Sequence, residues 1–349
     1  MRKEFKDNIK KILKVIVAAV LFVVAAHNVG RILYHAKFEA LHLRTIFFDL
    51  SYRDISAAHL FDSFFSPYHL YFLNIQLDGG AFRKYFESIT KLSGVLLFVF
   101  AYLKFDLKAA IIFGALYLLH PIYLIQSTWI AFPDTYTLLF SILLIIIYLG
   151  NWKETFKKIA FLLIVILGLY NHYYQFMFIA GFLTLLYVRD DLKGKYSYLI
   201  LLLVALLFAR YSSIFLFEMK GALVKDYRVG VLASLTWDKM LELNTRNFFG
   251  SLFSLFFGLL PFFVWNTVKT KNYIILIFFA ICYAITWWTF DTTRVFVHLF
   301  FPVWIYTMME KYSTEDDHRV DFILLAFALI FTYFFDLYYS WNGDLIYLN

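Results

Sequence analysis

Two aspartates are candidates for acid–base chemistry because they lie among apolar residues. Asp49 and Asp54 belong to the stretch FFDLSYRDISAAHLFDSFFSPYHLYFLN at residues 47–74. A carboxylate flanked by apolar side chains is only partly solvated, which raises its pKa toward the range of a general base. Asp49 directly follows two phenylalanines and fits this description best. The competing interpretation is that Asp49 caps a helix that starts near Ser51.

Three arginines are candidates for binding a phosphate group. Arg210 lies inside the apolar run LLLVALLFARYSSIFLF, Arg294 lies near the start of another apolar run, and Arg228 belongs to a more polar segment. A charged side chain inside an apolar helix is costly, so such a residue is a functional candidate by default. In a water-poor site, a guanidinium group binds phosphate oxygens in a bidentate manner. The alternative for Arg294 is a local ion pair with Asp291.

Four further polar residues are candidates for binding a substrate. Asp134 opens an apolar helix, Gln126 and His298 lie within apolar runs, and His172 lies in the polar turn YNHYYQ. Two of them, Asp134 and His172, also have a simpler interpretation. Asp134 suits the N-cap of its helix, and a lone histidine such as His172 commonly satisfies a local hydrogen bond.

Several common catalytic motifs are absent from the sequence. It contains no GxGxxG or P-loop, no HExxH, no CxxC pair and no nucleophile elbow, and its histidines lack metal-ligand spacing. The single cysteine, Cys282, excludes an intrachain disulfide. The net charge of +7 is spread over many short segments, whereas nucleic-acid binding requires a basic stripe. We therefore expect no cofactor and no nucleic-acid partner, and no motif indicates a divalent metal ion.

The elements that carry these residues are predicted to be membrane helices. Hydrophobic residues make up 62% of the chain and charged residues 16%, and the mean hydropathy is +0.69. This composition is too apolar for a soluble domain. Since one crossing needs about 20 apolar residues, the sequence predicts an all-α polytopic membrane protein with a single transmembrane domain over 1–349. The roughly eleven spans are expected near 12–27, 92–105, 108–126, 135–150, 158–170, 174–188, 197–216, 247–266, 273–290, 295–309 and 321–338.

The basic residues predict the orientation of these helices. They are concentrated before the first span and in alternate loops, and short basic loops face the cytoplasm. The N-terminus is therefore predicted to be cytoplasmic, with the first apolar run acting as a retained anchor and not as a cleaved signal peptide. Two long segments, 28–91 and 217–246, fall on the external side. Apolar residues at helical spacing within them predict helices that lie in the membrane interface.

This orientation places the candidate residues on one side of the membrane. A transporter would be expected to place polar groups near the midplane, often in helices broken by glycine or proline. The sequence instead favours a one-sided active site on the external face, which is periplasmic if the protein is bacterial. The residues that share this face are Asp49, Asp54, Asp134, His172, Arg210, Arg228, Asp291 and Arg294.

The pattern resembles the C-type multi-span glycosyltransferases, which use polyprenyl-phosphate sugars, and above all their mannosyltransferases. Their first external loop carries an aspartate in a context like D-L-x-x-Y, and a small-Pro-Tyr turn follows. Here Tyr52 comes one place early, so the choice between Asp49 and Asp54 stays open. The residues that carry the resemblance are Asp49, Leu50, Tyr52, Ser66, Pro67, Tyr68, His120, Pro121, Gln126, Asp134, Asp291, Arg294, His298 and Pro302.

The resemblance implies an enzyme that moves one sugar from a polyprenyl-phosphate donor to a lipid or glycan acceptor, with inversion at the anomeric carbon. An aspartate then acts as general base, and arginines hold the departing phosphate. One alternative is an O-antigen or capsule polysaccharide polymerase, which carries its large external loop later in the chain. A second alternative, from a different class, is a transporter or lipid flippase, which needs charges near mid-membrane.

Overall fold

The computed structural model describes residues 2–32, 79–128, 134–219, 252–286, 292–334, 337–339 and 345–347. Several predictions concern residues outside these ranges. The candidate bases Asp49 and Asp54 lie there, together with Arg228, Asp291 and most of the two long segments that were expected to hold interfacial helices.

Helices account for nearly all of the described chain. One antiparallel strand pair near the C-terminus is the exception to the predicted all-α class, and it aligns Leu337 with Tyr347. In chain order the elements are α1 Arg2–Ile32, α2 Gly79–Lys104, α3 Leu107–Leu119, α4 Pro121–Thr128, α5 Asp134–Leu149, α6 Glu154–Asn171, α7 Tyr173–Val188, α8 Leu192–Met219, a 3₁₀ turn Phe257–Leu259, α9 Leu260–Thr270, α10 Ile274–Thr286, α11 Thr292–Lys311, α12 Arg319–Phe334, β1 Leu337–Tyr339 and β2 Leu345–Tyr347.

Three of the described helices have the length and composition of membrane helices. Among the described residues, the runs Ile12–Gly30, Lys84–Lys104 and Leu192–Phe215 are each long and apolar enough to cross a membrane, and the bent pair α3–α4 makes up to four. Both α1 and α8 expose large apolar side chains, such as Leu21 at 63% and Phe215 at 60%. An exposed apolar surface of this kind is suited to contact with lipid tails. The fold is thus consistent with a helical membrane protein.

Three helix boundaries extend beyond the predicted spans. The first helix continues to Ile32 and α2 begins at Gly79, so both ends of the predicted loop 28–91 are helical. The start of the segment 217–246 is also helical, because α8 continues to Met219. Backbone hydrogen bonds continue through polar residues beyond an apolar run, so hydropathy marks the span and not the end of the helix.

The bend between α3 and α4 has a clear local cause. At the start of α3, the carboxylate of Asp106 accepts a hydrogen bond from the backbone N–H of Ala109 at 2.7 Å, which is N-capping. Helix α3 ends at Leu119, because His120 precedes a proline and such a residue is disfavoured in helical conformation. Pro121 then begins α4, where its fixed φ suits the first helical position. The two helices meet at 58°.

A second break separates α6 from α7 at His172. The backbone of His172 is extended, with φ −154° and ψ 90°, so the long apolar stretch becomes two short helices, as the polar turn in the sequence predicted. Gly168 in the last turn of α6 lets the returning helix approach closely, because a Cβ at this position would overlap the ring of Phe176. The break and the close approach together form a tight α6–α7 hairpin.

This close approach predicts the outcome of two glycine substitutions. Gly168→Ala is expected to lower the free energy of unfolding by about 2 kcal/mol, because the added methyl group overpacks the buried ring of Phe176. Gly181→Ala in α7 is the control, since no described heavy atom lies within 4 Å of its added Cβ, and helix propensity then favours alanine. Denaturant unfolding in detergent would measure both. Equal effects at the two positions would contradict the packing.

The beginning of α9 differs from the predicted span 247–266. The 3₁₀ turn at Phe257–Leu259 interrupts the helical pattern, and Phe257 has a positive φ of 50°. A Cβ at Gly258 would lie 2.8 Å from the carbonyl oxygen of Ala328 in α12. The backbones therefore pack too closely for a regular helix with ordinary side chains at this position.

Helix α11 forms the centre of the bundle. All residues from Phe296 to Met309 are buried, and α11 packs against α4, α5, α7 and α10. Its first turn carries Arg294, while Glu310 near its other end pairs with Arg189 at 2.5 Å. At a rise of about 1.5 Å per residue, these two ends lie about 24 Å apart. The candidate residues Arg294 and His298 belong to the first of these ends.

Candidate functional site

The centre of the candidate site is an ion pair between α5 and α11. Asp134 is the first residue of α5, and one of its carboxylate oxygens lies 3.4 Å from Nη1 of Arg294. The carboxylate is almost fully buried, with 4% of Asp134 exposed. A buried carboxylate needs a cation or strong hydrogen bonds to stay charged, and Arg294 supplies the cation. Asp291, the partner that the sequence suggested for Arg294, lies outside the described residues.

His298 connects this ion pair to α4. Its Nδ1 lies 2.7 Å from the backbone carbonyl oxygen of Arg294, so Nδ1 carries the proton and donates. Its Nε2 lies 2.5 Å from Nε2 of Gln126, and in a neutral imidazole it accepts from the amide N–H. His298 and Gln126 are 1% exposed. The hydrogen bonds thus fix one tautomer and hold α4 against α11 at the site.

The α6–α7 break contributes the remaining polar side chains. Gln175 in the first turn of α7 hydrogen-bonds the Asp134 carboxylate, and His172 interacts with the same carboxylate electrostatically. Asn171 donates from Nδ2 to Oγ1 of Thr137 at 2.9 Å, which ties the break to α5. The interruption of the long apolar stretch therefore places polar groups that interact with the Asp134 carboxylate.

His120 lies beside this cluster on the side of the bundle core. Its Nδ1 accepts a hydrogen bond from the backbone N–H of Ile122 at 3.2 Å, and its ring packs 4.8 Å from Phe301 and 5.9 Å from Trp304. It also interacts electrostatically with His298. His120 therefore both caps α4 and lines the apolar side of the site.

Arg210 lies at the same end of the bundle, on α8. Its guanidinium carbon is 5.5 Å from the ring centre of Tyr173 and 5.9 Å from that of Tyr174, which are the residues that follow His172. Cation–π contacts of this kind hold an arginine beside aromatic rings without neutralising its charge. The positive charge of Arg210 is thus positioned next to the α6–α7 break.

The structure brings together five of the residues that the sequence singled out. Asp134, Arg294, His298, Gln126 and His172 form one connected cluster, which we call the Asp134 cluster. Sequence reasoning noted Gln175 only as part of a polar turn, although its place three residues after His172 puts both on one helical face. For His120, the sequence feature that indicates a role is its position directly before Pro121.

No protein-family model, curated protein or solved structure matches this chain. The fold and the Asp134 cluster alone define the class of protein, a helical protein of membrane composition with a buried polar site at one end of its bundle. Within the described residues, no group of three His, Cys, Asp or Glu side chains is arranged to hold a metal ion. The chemistry available in the Asp134 cluster is hydrogen bonding and charge stabilisation by a carboxylate, amides, imidazoles and a guanidinium group.

Proposed function

We propose that the protein is a membrane glycosyltransferase of the C type, with about eleven transmembrane helices. It transfers a sugar from a polyprenyl-phosphate donor to a lipid or glycan acceptor on the non-cytoplasmic face. The observation that carries the proposal is that five polar residues, each identified separately from the sequence, lie together in the Asp134 cluster. These residues come from α4, α5, α11 and the α6–α7 break. Of the five, Gln126, Asp134, Arg294 and His298 resemble corresponding positions of that family.

In the proposed mechanism, Asp49 removes the proton from an acceptor hydroxyl as its oxygen attacks the anomeric carbon. The new C–O bond forms while the bond to the phosphate oxygen breaks, so the configuration inverts and the phosphate leaves with the electron pair. The positive charges of Arg210, Arg228 and Arg294 stabilise this anion. A phosphate leaves as a stable anion and needs no protonation by a second carboxylic acid. Asp54 is the alternative base.

The distribution of polar residues along α11 supports a one-sided site. After His298 the helix continues LFFPVWIY, residues 299–306, and all of these buried side chains are apolar or aromatic. A transport pathway through the bundle would need polar groups or water near the middle of its helices. The Asp134 cluster instead lies at the beginning of α11, which suits a reaction at one membrane surface.

A transfer assay tests this proposal. The purified protein is incubated with short-chain polyprenyl-phosphate mannose, and with a panel of other sugars on the same lipid. We expect the native chain to form a product and Asp49→Ala to lower its rate about a hundredfold or more, which is the contribution of a general base. Asp316→Ala is the control, because Asp316 is an exposed carboxylate near the other end of α11.

Each alternative gives a different result in this assay. Full activity of Asp49→Ala would assign the base to Asp54, which the Asp54→Ala variant then checks. Transfer of a whole glycan from a lipid diphosphate, with no reaction of any monophosphate donor, would identify a polymerase. Movement of a lipid across vesicles without a covalent product would identify a flippase and overturn the proposal.

A further inference from the structure

The Asp134 cluster and the residues beside it contain several buried polar atoms that make no hydrogen bond within the described part of the chain. Each belongs to a side chain that is at least nine-tenths buried, with Gln175 the most exposed at 7%. Leaving such an atom unpaired costs about 1–3 kcal/mol, and native proteins contain few of them. The atoms are Oε1 of Gln126, Oε1 of Gln175, Oγ1 of Thr135 and Nε2 of His120.

These atoms belong to residues that are linked to Asp134 by sequence, by hydrogen bonds or by electrostatic interactions. Thr135 follows Asp134 in α5, and Gln175 hydrogen-bonds the carboxylate directly. Gln126 is bound to His298, which interacts electrostatically with both Asp134 and His120. One Asp134 oxygen, Oδ2, likewise makes the ion pair with Arg294 but no hydrogen bond among the described residues. Several atoms with unmet hydrogen-bonding capacity therefore belong to residues associated with Asp134.

The chemistry of these atoms restricts what can bind them. Amide and carboxylate oxygens only accept hydrogen bonds, and these account for Gln126, Gln175 and Asp134. The oxygens of a phosphate diester also only accept, so they cannot pair with this set. A sugar hydroxyl donates one hydrogen bond and accepts others, and can therefore also use the hydroxyl of Thr135 and the N–H of His120.

We propose that these atoms, on and beside the Asp134 cluster, bind the hydroxyl groups of the transferred sugar, whereas the arginines bind the phosphate of its donor. This inference rests on the proposed glycosyltransferase function and names the part of the donor that this site recognises. The phosphate then lies at the cations Arg210 and Arg294, and Arg210 is held beside the two tyrosines that open α7. Gln126, Thr135, Gln175 and the Asp134 carboxylate accordingly determine which sugar the enzyme binds.

Binding measurements with two lipids test this assignment. Short-chain polyprenyl-phosphate mannose and the same polyprenyl phosphate without sugar are titrated against the purified full chain, and the ratio of the two dissociation constants gives the preference for the sugar. We expect the native chain to prefer the sugar-bearing lipid. Gln175→Met and Thr135→Val are each expected to lower that preference about tenfold, the effect of losing one hydrogen bond to a buried partner.

Thr184→Val is the control substitution. Thr184 lies near the other end of α7 and its buried hydroxyl bonds that of Tyr148 at 2.7 Å, so its loss should lower thermal stability and leave the sugar preference intact. An unchanged preference in both Gln175→Met and Thr135→Val overturns the assignment, as does a native chain that binds both lipids equally. If neither lipid, nor any sugar on the panel, binds the native chain, the proposed function itself is overturned.

Discussion

Replacement of Arg294 by methionine is expected to lower the free energy of unfolding by about 3 kcal/mol. The Asp134 carboxylate is 4% exposed, and without the guanidinium group it becomes a buried charge with only its remaining hydrogen bonds. Removal of one partner of a buried ion pair is strongly destabilising for this reason. Unfolding by denaturant in detergent, followed by tryptophan fluorescence, would measure the loss.

Two further variants separate the ion pair from other roles of Arg294. The double variant Arg294→Met/Asp134→Asn is expected to recover much of the lost stability, because no charge is then left buried. Arg319→Met is the matched control, since its side chain is 89% exposed and pairs with Asp317, and exposed pairs contribute about 0–1 kcal/mol. If Arg294→Met costs no more than Arg319→Met, the buried pair does not stabilise the fold as the structure indicates.

The cluster around Asp134 shows how much of this site the sequence could predict. Charged or amide side chains within apolar runs are rare, so Asp134, Arg294 and Gln126 were visible without a structure. The predicted orientation also placed Asp134 and Arg294 on one side. What the sequence could not predict is which partner each would meet, because Arg294 had Asp291 nearby in sequence, whereas Asp134 reaches it only through the packing of α5 on α11.

The helix breaks were easier to predict than the irregular turn before α9. His120 precedes a proline and His172 lies in a polar turn, so both breaks follow from local residue types. The 3₁₀ turn at Phe257–Leu259 follows from a close approach to Ala328 in α12, a contact between distant parts of the chain. Hydropathy alone predicts one continuous span in this region.

A second buried charge network lies at the opposite end of α11 and joins α9 to α12. The carboxylate of Asp321, 3% exposed, accepts a hydrogen bond from Nε1 of Trp265 at 2.9 Å and one from Nζ of Lys269 at 2.9 Å. It also lies 2.7 Å from Nδ1 of His318, whose Nε2 lies 2.9 Å from the carbonyl oxygen of Ser313. Both ring nitrogens of His318 thus lie within hydrogen-bonding distance of an oxygen atom.

Asp321→Ala is therefore expected to lower the free energy of unfolding by about 4 kcal/mol, because it leaves Lys269 and the buried ring of His318 without their anion. Asp321→Asn should cost less, since its amide oxygen still accepts from Trp265. Asp317→Ala is the control, because this neighbouring carboxylate is 71% exposed and should cost under about 1 kcal/mol. Denaturant unfolding of the three variants ranks them. An Asp321→Ala protein as stable as Asp317→Ala would show that α9 and α12 are held together by apolar packing, with the charge network contributing nothing.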